Sequence, residues 1–203
     1  MVTIIHLVRH GSHRLPPGVL AGRMPGVGLS DEGREQARRA AASLAGAGLA
    51  GAGAGVGVGA VHCSPLERTV ETATIIADRL SATVLRVEAL TEIDFGGWTG
   101  RTFEALEQEV GWRRWNHFRT GNRPPGGETM LEAQARALWH IETLAPGSAT
   151  VLVSHCDVIR TVLTHWLGMP MDMLLRLEIA PGSISTVEIG PWGPRILRIN
   201  GEA

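Results

Sequence analysis

Long apolar runs are missing from this 203-residue chain: no stretch approaches the ~20 residues that a membrane-spanning helix needs. Its first residues, Met1-Val2-Thr3-Ile4-Ile5, soon meet His6 and Arg9 and carry no basic leader, which argues against a secretory signal. Cysteine is scarce. Cys63 and Cys156 make a disulfide framework an unlikely design and fit a reducing, cytoplasmic setting, as two small thiols at strand ends. Excess charge of one sign is absent too. With 19 basic and 20 acidic residues the formal net charge is −1, so no global field recruits nucleic acid or an anionic membrane. An anionic ligand must then be held by a local arginine cluster. Neither Gly-x-Ser-x-Gly nor His-Glu-x-x-His nor a paired-cysteine pattern occurs. That speaks against acyl transfer, and against a metal centre built on His6, His10 and His13.

The chain does have the balance of a globular domain, 44% apolar and 19% charged residues, and its length suits one well-filled unit spanning 1–203. Residues 2–8 read as a buried strand, followed by a Pro- and Gly-containing loop up to Ser30. Ser30, with Asp31 and Glu32 behind it, predicts a helix through Leu44. Residues 46–59 are a low-complexity Gly, Ala and Val segment, expected to be a surface connector; a P-loop is disfavoured because no Lys-Ser/Thr ending follows. Further strands are predicted near 60–63, 83–87, 149–154, 184–189 and 195–199, and helices over 65–80, 102–120, 129–144 and 158–167. Ser64, Pro65 and Glu67 read as N-cap, first and third helical residues, and Thr129-Met130-Leu131-Glu132 as a capping box. Strands alternating with helices predict an α/β fold: a three-layer α/β/α sandwich on a mainly parallel sheet.

Ligands of such folds bind where strands end and helices begin. Four segments with phosphate-compatible side chains fall at that edge. Arg9-His10-Gly11 follows the first strand; a neutral imidazole can attack phosphorus, and a guanidinium can neutralise phosphoryl oxygens as a fork. Arg68 stands one turn into the helix after the second strand, within reach of the strand ends. The third segment, Leu90 to Gly100, holds Glu92 and, as second choice, Asp94. A carboxyl with a raised pKa there could protonate a leaving alkoxide. His155 ends the buried strand Val151-Leu152-Val153-Ser154, at a helix start, where it could donate to a phosphoryl oxygen. Two Arg, two His and a carboxyl supply positioning and charge neutralisation for phosphoryl transfer without a metal or other cofactor.

These motifs, in this order from Leu7 to about Val187, resemble the histidine phosphatase superfamily, the group that contains the phosphoglycerate mutases. The resemblance implies that His10 is phosphorylated and that Arg9, Arg68 and His155 form the phosphate pocket. It implies that Glu92 is the proton donor. Leu20-Ala21-Gly22-Arg23 matches the family's following loop, which makes Gly22 and Arg23 substrate-binding candidates, and Pro125-Gly126-Gly127-Glu128-Thr129 matches a further segment. Two departures stand out. Pro16 replaces an asparagine common six residues beyond the nucleophile, with His13 or Arg14 as substitutes, and Cys156 replaces the glycine after the second histidine, beside the pocket. The roughly thirty residues between Trp98 and Glu128 resemble the short helical cap of the family's phosphatases (a cap at about 100–128) more than the longer insertion of its mutases. Within that cap, Trp112 to Arg119 reads equally as a cover helix and as a substrate grip. The expectation is a phosphomonoester hydrolase for a small-molecule phosphate ester, with a phosphoglycerate mutase and a non-catalytic phospho-ligand binding module as alternatives. Neither nucleic acid nor membrane is expected as a partner, and a homodimer is compatible with the reading.

Overall fold

In the computed structural model, which describes residues 1–46 and 58–202, the run Thr-Ile-Ile-His-Leu-Val-Arg forms β1 (Thr3–Arg9), buried up to its last residue. A strand apolar on both faces belongs in the middle of a sheet, and β1 lies there. In chain order follow α1 (Asp31–Gly46), β2 (Ala60–Cys63), α2 (Glu67–Leu80), β3 (Thr83–Arg86), α3 (Phe103–Glu107), α4 (Val110–His117), α5 (Met130–Glu142), β4 (Ala149–Ser154), α6 (Cys156–Trp166), β5 (Ile184–Gly190) and β6 (Gly193–Gly201), with short 3-10 turns at Glu88–Leu90, Gly96–Trp98 and Met171–Arg176. The sheet order is β3-β2-β4-β1-β5-β6. β3, β2, β4 and β1 are parallel, and the hairpin β5–β6 adds antiparallel to β1.

The period of two along the strands sorts the core into two layers. Ile4, Val8, Val151 and Val153 face α1 and α2, meeting Ala40, Leu44, Ala73 and Ile76. Ile5, Leu7 and Leu152 face α5 and α6, meeting Ala133, Ile141, Ile159 and Leu163. Helices on both faces of a mainly parallel sheet make the three-layer α/β/α sandwich that the strand–helix alternation predicts. Two of the three predicted helix caps are present as predicted. Ser30 Oγ accepts the Gly33 N–H at 3.0 Å, and Thr129 with Glu132 closes a reciprocal capping box. Gly11 and Gly33 let the chain after β1 cross the start of α1 at close range; a Cβ at Gly11 would lie 2.2 Å from the Gly33 carbonyl oxygen.

Two predicted elements differ. The helix after β2 begins at Glu67 with Leu66 as N-cap and no side-chain cap. Ser64 lies two residues ahead of that cap, its hydroxyl accepting from the Leu66 N–H at 3.3 Å and also lying 2.9 Å from His155 Nε2. The predicted helix over 102–120 is broken into α3 and α4 at Gln108-Glu109, where Glu109 turns extended. Glu109 accepts from the Trp98 indole N–H and pairs with Arg101, while Glu107 accepts from the Trp112 indole N–H at 2.8 Å. Satisfying two buried indoles outweighs one continuous helix. Among the described residues no helix is long and apolar enough to cross a membrane. The low-complexity segment lies, apart from its ends, outside the described residues.

Candidate active site

Register places the two histidines. Arg9 pairs with Ser154 across β1 and β4, so the next residue of each strand, His10 and His155, emerges side by side at the carboxyl edge of the sheet. The His10 N–H bonds the Ser154 carbonyl at 3.0 Å, and the imidazole centroids are 5.1 Å apart at a steep tilt. His10 Nδ1 faces the Gly11 carbonyl oxygen at 2.7 Å. A carbonyl only accepts, so Nδ1 carries the proton and Nε2 keeps its lone pair. Arg68 Nε donates to that lone pair at 3.3 Å. Burial, with the Arg68 and Arg9 charges beside it, holds the His10 pKa well below the usual histidine range, so the ring is neutral.

Arg68 leaves the first turn of α2 and is 1% exposed. Its Nη2 donates to the Gly22 carbonyl at 2.7 Å and lies 3.3 Å from His155 Nδ1. Gly22 adopts a positive φ of 47°, and a Cβ there would meet the Thr99 hydroxyl at 2.8 Å, so this carbonyl is presented by a turn that favours glycine. Arg9 Nη1 donates to the Ile179 carbonyl at 2.5 Å. Arg9 Nε and Arg68 Nη1 are buried donors without a hydrogen-bond partner among the described residues. A buried unpaired donor costs about 1–3 kcal/mol, more when charged, unless an acceptor meets it. The pair therefore suits an anion.

Glu92 lines the same cavity, of about 350 Å³, together with Arg9, His10, Arg68 and Cys156. Its Oε1 accepts the Ile93 N–H at 2.9 Å, and its Oε2 stands 3.9 Å from His155 Nδ1. Burial first, and the Asp157 carboxylate second, push its pKa up to about 7 against the opposing pull of Arg68. Asp94, the second choice for the acid, points elsewhere: it accepts the Gly96 N–H and lies 3.6 Å from Arg23.

Arg23 is spent on structure. Its Nε donates to the Glu92 carbonyl at 2.8 Å and its Nη2 to Glu128 at 2.7 Å, and it is not among the cavity's lining residues. Arg136 joins it on Glu128 at 2.6 Å and on the Glu92 carbonyl at 3.3 Å. The Gly-Gly-Glu segment thus anchors the loop that carries Glu92. Cys156 is half-buried at the cavity wall, its thiol 3.7 Å from the Ile179 carbonyl and pushed up to about 11 by burial. His13 also lines the cavity, 6.1 Å from His10 between ring centroids, whereas His6 bonds Thr186 within the sheet and Arg14 bonds the Leu29 carbonyl.

Three side chains in the site escaped sequence reasoning: Ser64, Asp157 and Arg160. Asp157 accepts from Arg119 at 2.8 Å and from Arg160 at 3.0 Å, tying the cap to α6. Asp157 and Arg160 follow His155 on the first turns of α6, a placement that could have flagged them. The register that brings Ser64 to His155 has no sequence signal. The tryptophans of the cap's aromatic run are core, Trp112 and Trp115 being buried against Trp98 with the Arg119 guanidinium 3.9 Å over Trp115, while Phe118 is exposed.

Convergent strand ends, a tautomer-fixed imidazole and two arginines with buried unpaired donors form a pocket suited to a phosphate-sized anion. The chain belongs to the histidine phosphatase superfamily (branch 1), whose family model matches residues 5–202. The bifunctional protein Rv2228c of Mycobacterium tuberculosis is 33% identical over 202 residues, covering 97% of this chain and 53% of its own length. This chain thus spans about half of the first curated relatives it matches. A protein of Enterobacter sp. (strain 638) named as a probable phosphoglycerate mutase, GpmB, is 31% identical, covering 93% of this chain and 86% of its own. Among solved structures, a candidate alpha-ribazole-5'-P phosphatase from Escherichia coli superposes with a TM-score of 0.83 at 25% identity, covering 99% of this chain and 97% of the other.

Proposed function

We propose that this chain is a phosphatase of small phosphorylated metabolites that works through a phosphohistidine at His10, with residues 1–203 acting as one domain under a short cap. The observation that carries the reading is the His10 Nε2 lone pair, held 3.3 Å from Arg68 in a cavity shared with a carboxyl that titrates near pH 7. In the first step Nε2 attacks phosphorus and the ester P–O bond breaks. Glu92 gives its proton to the leaving oxygen, and the alcohol departs. In the second step the Glu92 carboxylate takes a proton from water, whose oxygen attacks phosphorus. The P–Nε2 bond breaks, inorganic phosphate leaves, and Glu92 is protonated again. Arg9 and Arg68 neutralise the phosphoryl oxygens through both steps, and His155 completes the cradle. Ser64 can serve His155 as acceptor or as donor, because its hydroxyl accepts from the Leu66 N–H at 3.3 Å and its proton is free to rotate.

Support comes from the family, from the phosphatase named among the solved structures and from the short cap. The two unpaired thiols suit a cytoplasmic enzyme. One observation favours a mutase as the second reading: the likeness to the probable phosphoglycerate mutase over most of both chains. Phosphate release from a panel of phosphomonoesters in excess chelator, beside interconversion of 2- and 3-phosphoglycerate, separates the readings. The expected result is release by the wild type and a fall of ~10³-fold or more in His10→Ala. Interconversion without net release makes the chain a mutase. Tight binding of an ester with no turnover of any makes it a binding module, and full activity in His10→Ala overturns the mechanism.

A further inference from the structure

Beyond the phosphate clamp, the cavity lining includes a set of apolar groups. Leu15, Pro16 and Pro17 from the loop after His10 line the cavity together with Phe103 at the start of α3. Phe103 keeps 43% of its surface exposed, high for an aromatic side chain held in place. It is held in place on two counts. Its N–H donates to the Gly18 carbonyl at 2.7 Å, next to a bridge between Val19 and Thr102 and a Leu20 N–H to Arg101 carbonyl bond of 2.9 Å, so the two loops are laced together. Its ring also lies 6.1 Å from Trp112, tilted 32°, and Trp112 is itself buried. Phe103 is therefore a preorganised, partly exposed ring in the cavity lining.

The lining also holds Asp157 and Arg160, which are paired with each other. Arg160 spends Nε on the Leu177 carbonyl at 2.7 Å and Nη1 on Asp157 at 3.0 Å. Asp157 is also bonded by Arg119, and burial notwithstanding these two arginines keep its carboxyl below the usual range, hence ionised. A carboxylate or second phosphate on the leaving group would have to approach that carboxylate and compete for a guanidinium in use. A ring or apolar face on the leaving group meets Phe103 and the two prolines at no such penalty.

We infer that this site selects phosphate esters of ring-bearing or otherwise apolar, uncharged alcohols, with Phe103 as the specificity-determining residue, and that it discriminates against doubly anionic esters such as phosphoglycerates. The inference rests on the phosphatase reading above. Its test compares kcat/KM for benzyl phosphate, n-propyl phosphate and 3-phosphoglycerate, three esters of alcohols that differ little in leaving ability but differ in ring and charge. The wild type is expected to prefer benzyl over propyl phosphate by about tenfold and propyl phosphate over 3-phosphoglycerate by a further several-fold. Phe103→Ala is expected to bring the benzyl-to-propyl ratio close to one, and Phe103→Trp to keep it. Turnover with 3-phosphoglycerate preferred, or with a benzyl-to-propyl ratio that Phe103→Ala leaves intact, overturns the inference while the phosphatase reading stands. Turnover of none of the three, with no phosphoryl transfer to His10, overturns the phosphatase reading instead.

Discussion

At the scale of single residues, Glu92 carries the sharpest consequences. Its pKa stands at about 7 because burial and Asp157 both disfavour the carboxylate. As a proton donor it works in the protonated form, while His10, whose pKa is held well below its ordinary value, stays neutral over the same range. The account therefore predicts kcat/KM high on the acid side and falling as pH rises through about 7, with Glu92→Gln reducing kcat by ~10²–10⁴-fold for esters with poor leaving groups. A pH–rate profile on an alkyl phosphate checks both. Stability carries the same signature. A carboxyl whose folded pKa lies above its unfolded value of 4.5 contributes stability below that pH and loses it as pH rises through about 7. Wild type should thus lose about 2–3 kcal/mol relative to Glu92→Gln between about pH 5 and pH 8, read from denaturant midpoints in parallel titrations.

At the scale of elements, the cap is bound to the sandwich through Arg119. One face of its guanidinium covers Trp115, and its Nη1 and Nη2 donate to Asp157 and Asn116, each at 2.8 Å. Arg119→Met keeps some apolar cover but leaves Asp157 with Arg160 alone. Breaking a buried pair in this way is expected to lower stability by about 3 kcal/mol, measurable as a lower urea midpoint with an unchanged slope. What sequence could not reveal is also clearest here. Both capping signals, Ser30 and Thr129, sit where they were predicted because a cap is local chemistry. Ser64-Pro65-Glu67 has the same local form, yet the helix starts two residues later and its serine also reaches His155, a contact set by the register of β2 on β4. The split of α3 from α4 likewise follows from indoles seeking Glu107 and Glu109, a tertiary demand that helical periodicity does not encode.

Across the whole molecule, a near-neutral chain gathers Arg9, His10, Arg68 and His155 at one sheet edge. Apolar strands and amphipathic helices are enough to predict the sandwich, and placement directly after a strand or in the first turn of the next helix is enough to nominate His10, Arg68 and His155. Nothing in the sequence tells Arg23, which braces the Glu92 loop, from Arg9 and Arg68, which keep donors unpaired: the three lie in a loop, at a strand end and in a first helical turn. Only the partners of each nitrogen separate them. The central claim is that the phosphoryl group passes through His10 Nε2. Rapid alkaline quenching of wild type during turnover of a radiolabelled ester, followed by peptide mapping and phosphorus NMR, tests it most directly. The account predicts a base-stable, acid-labile phosphoryl group on Nε2 of His10 that builds up with substrate and is absent from His10→Ala. Label on another residue, or turnover with none on His10 at any quench time, would contradict it.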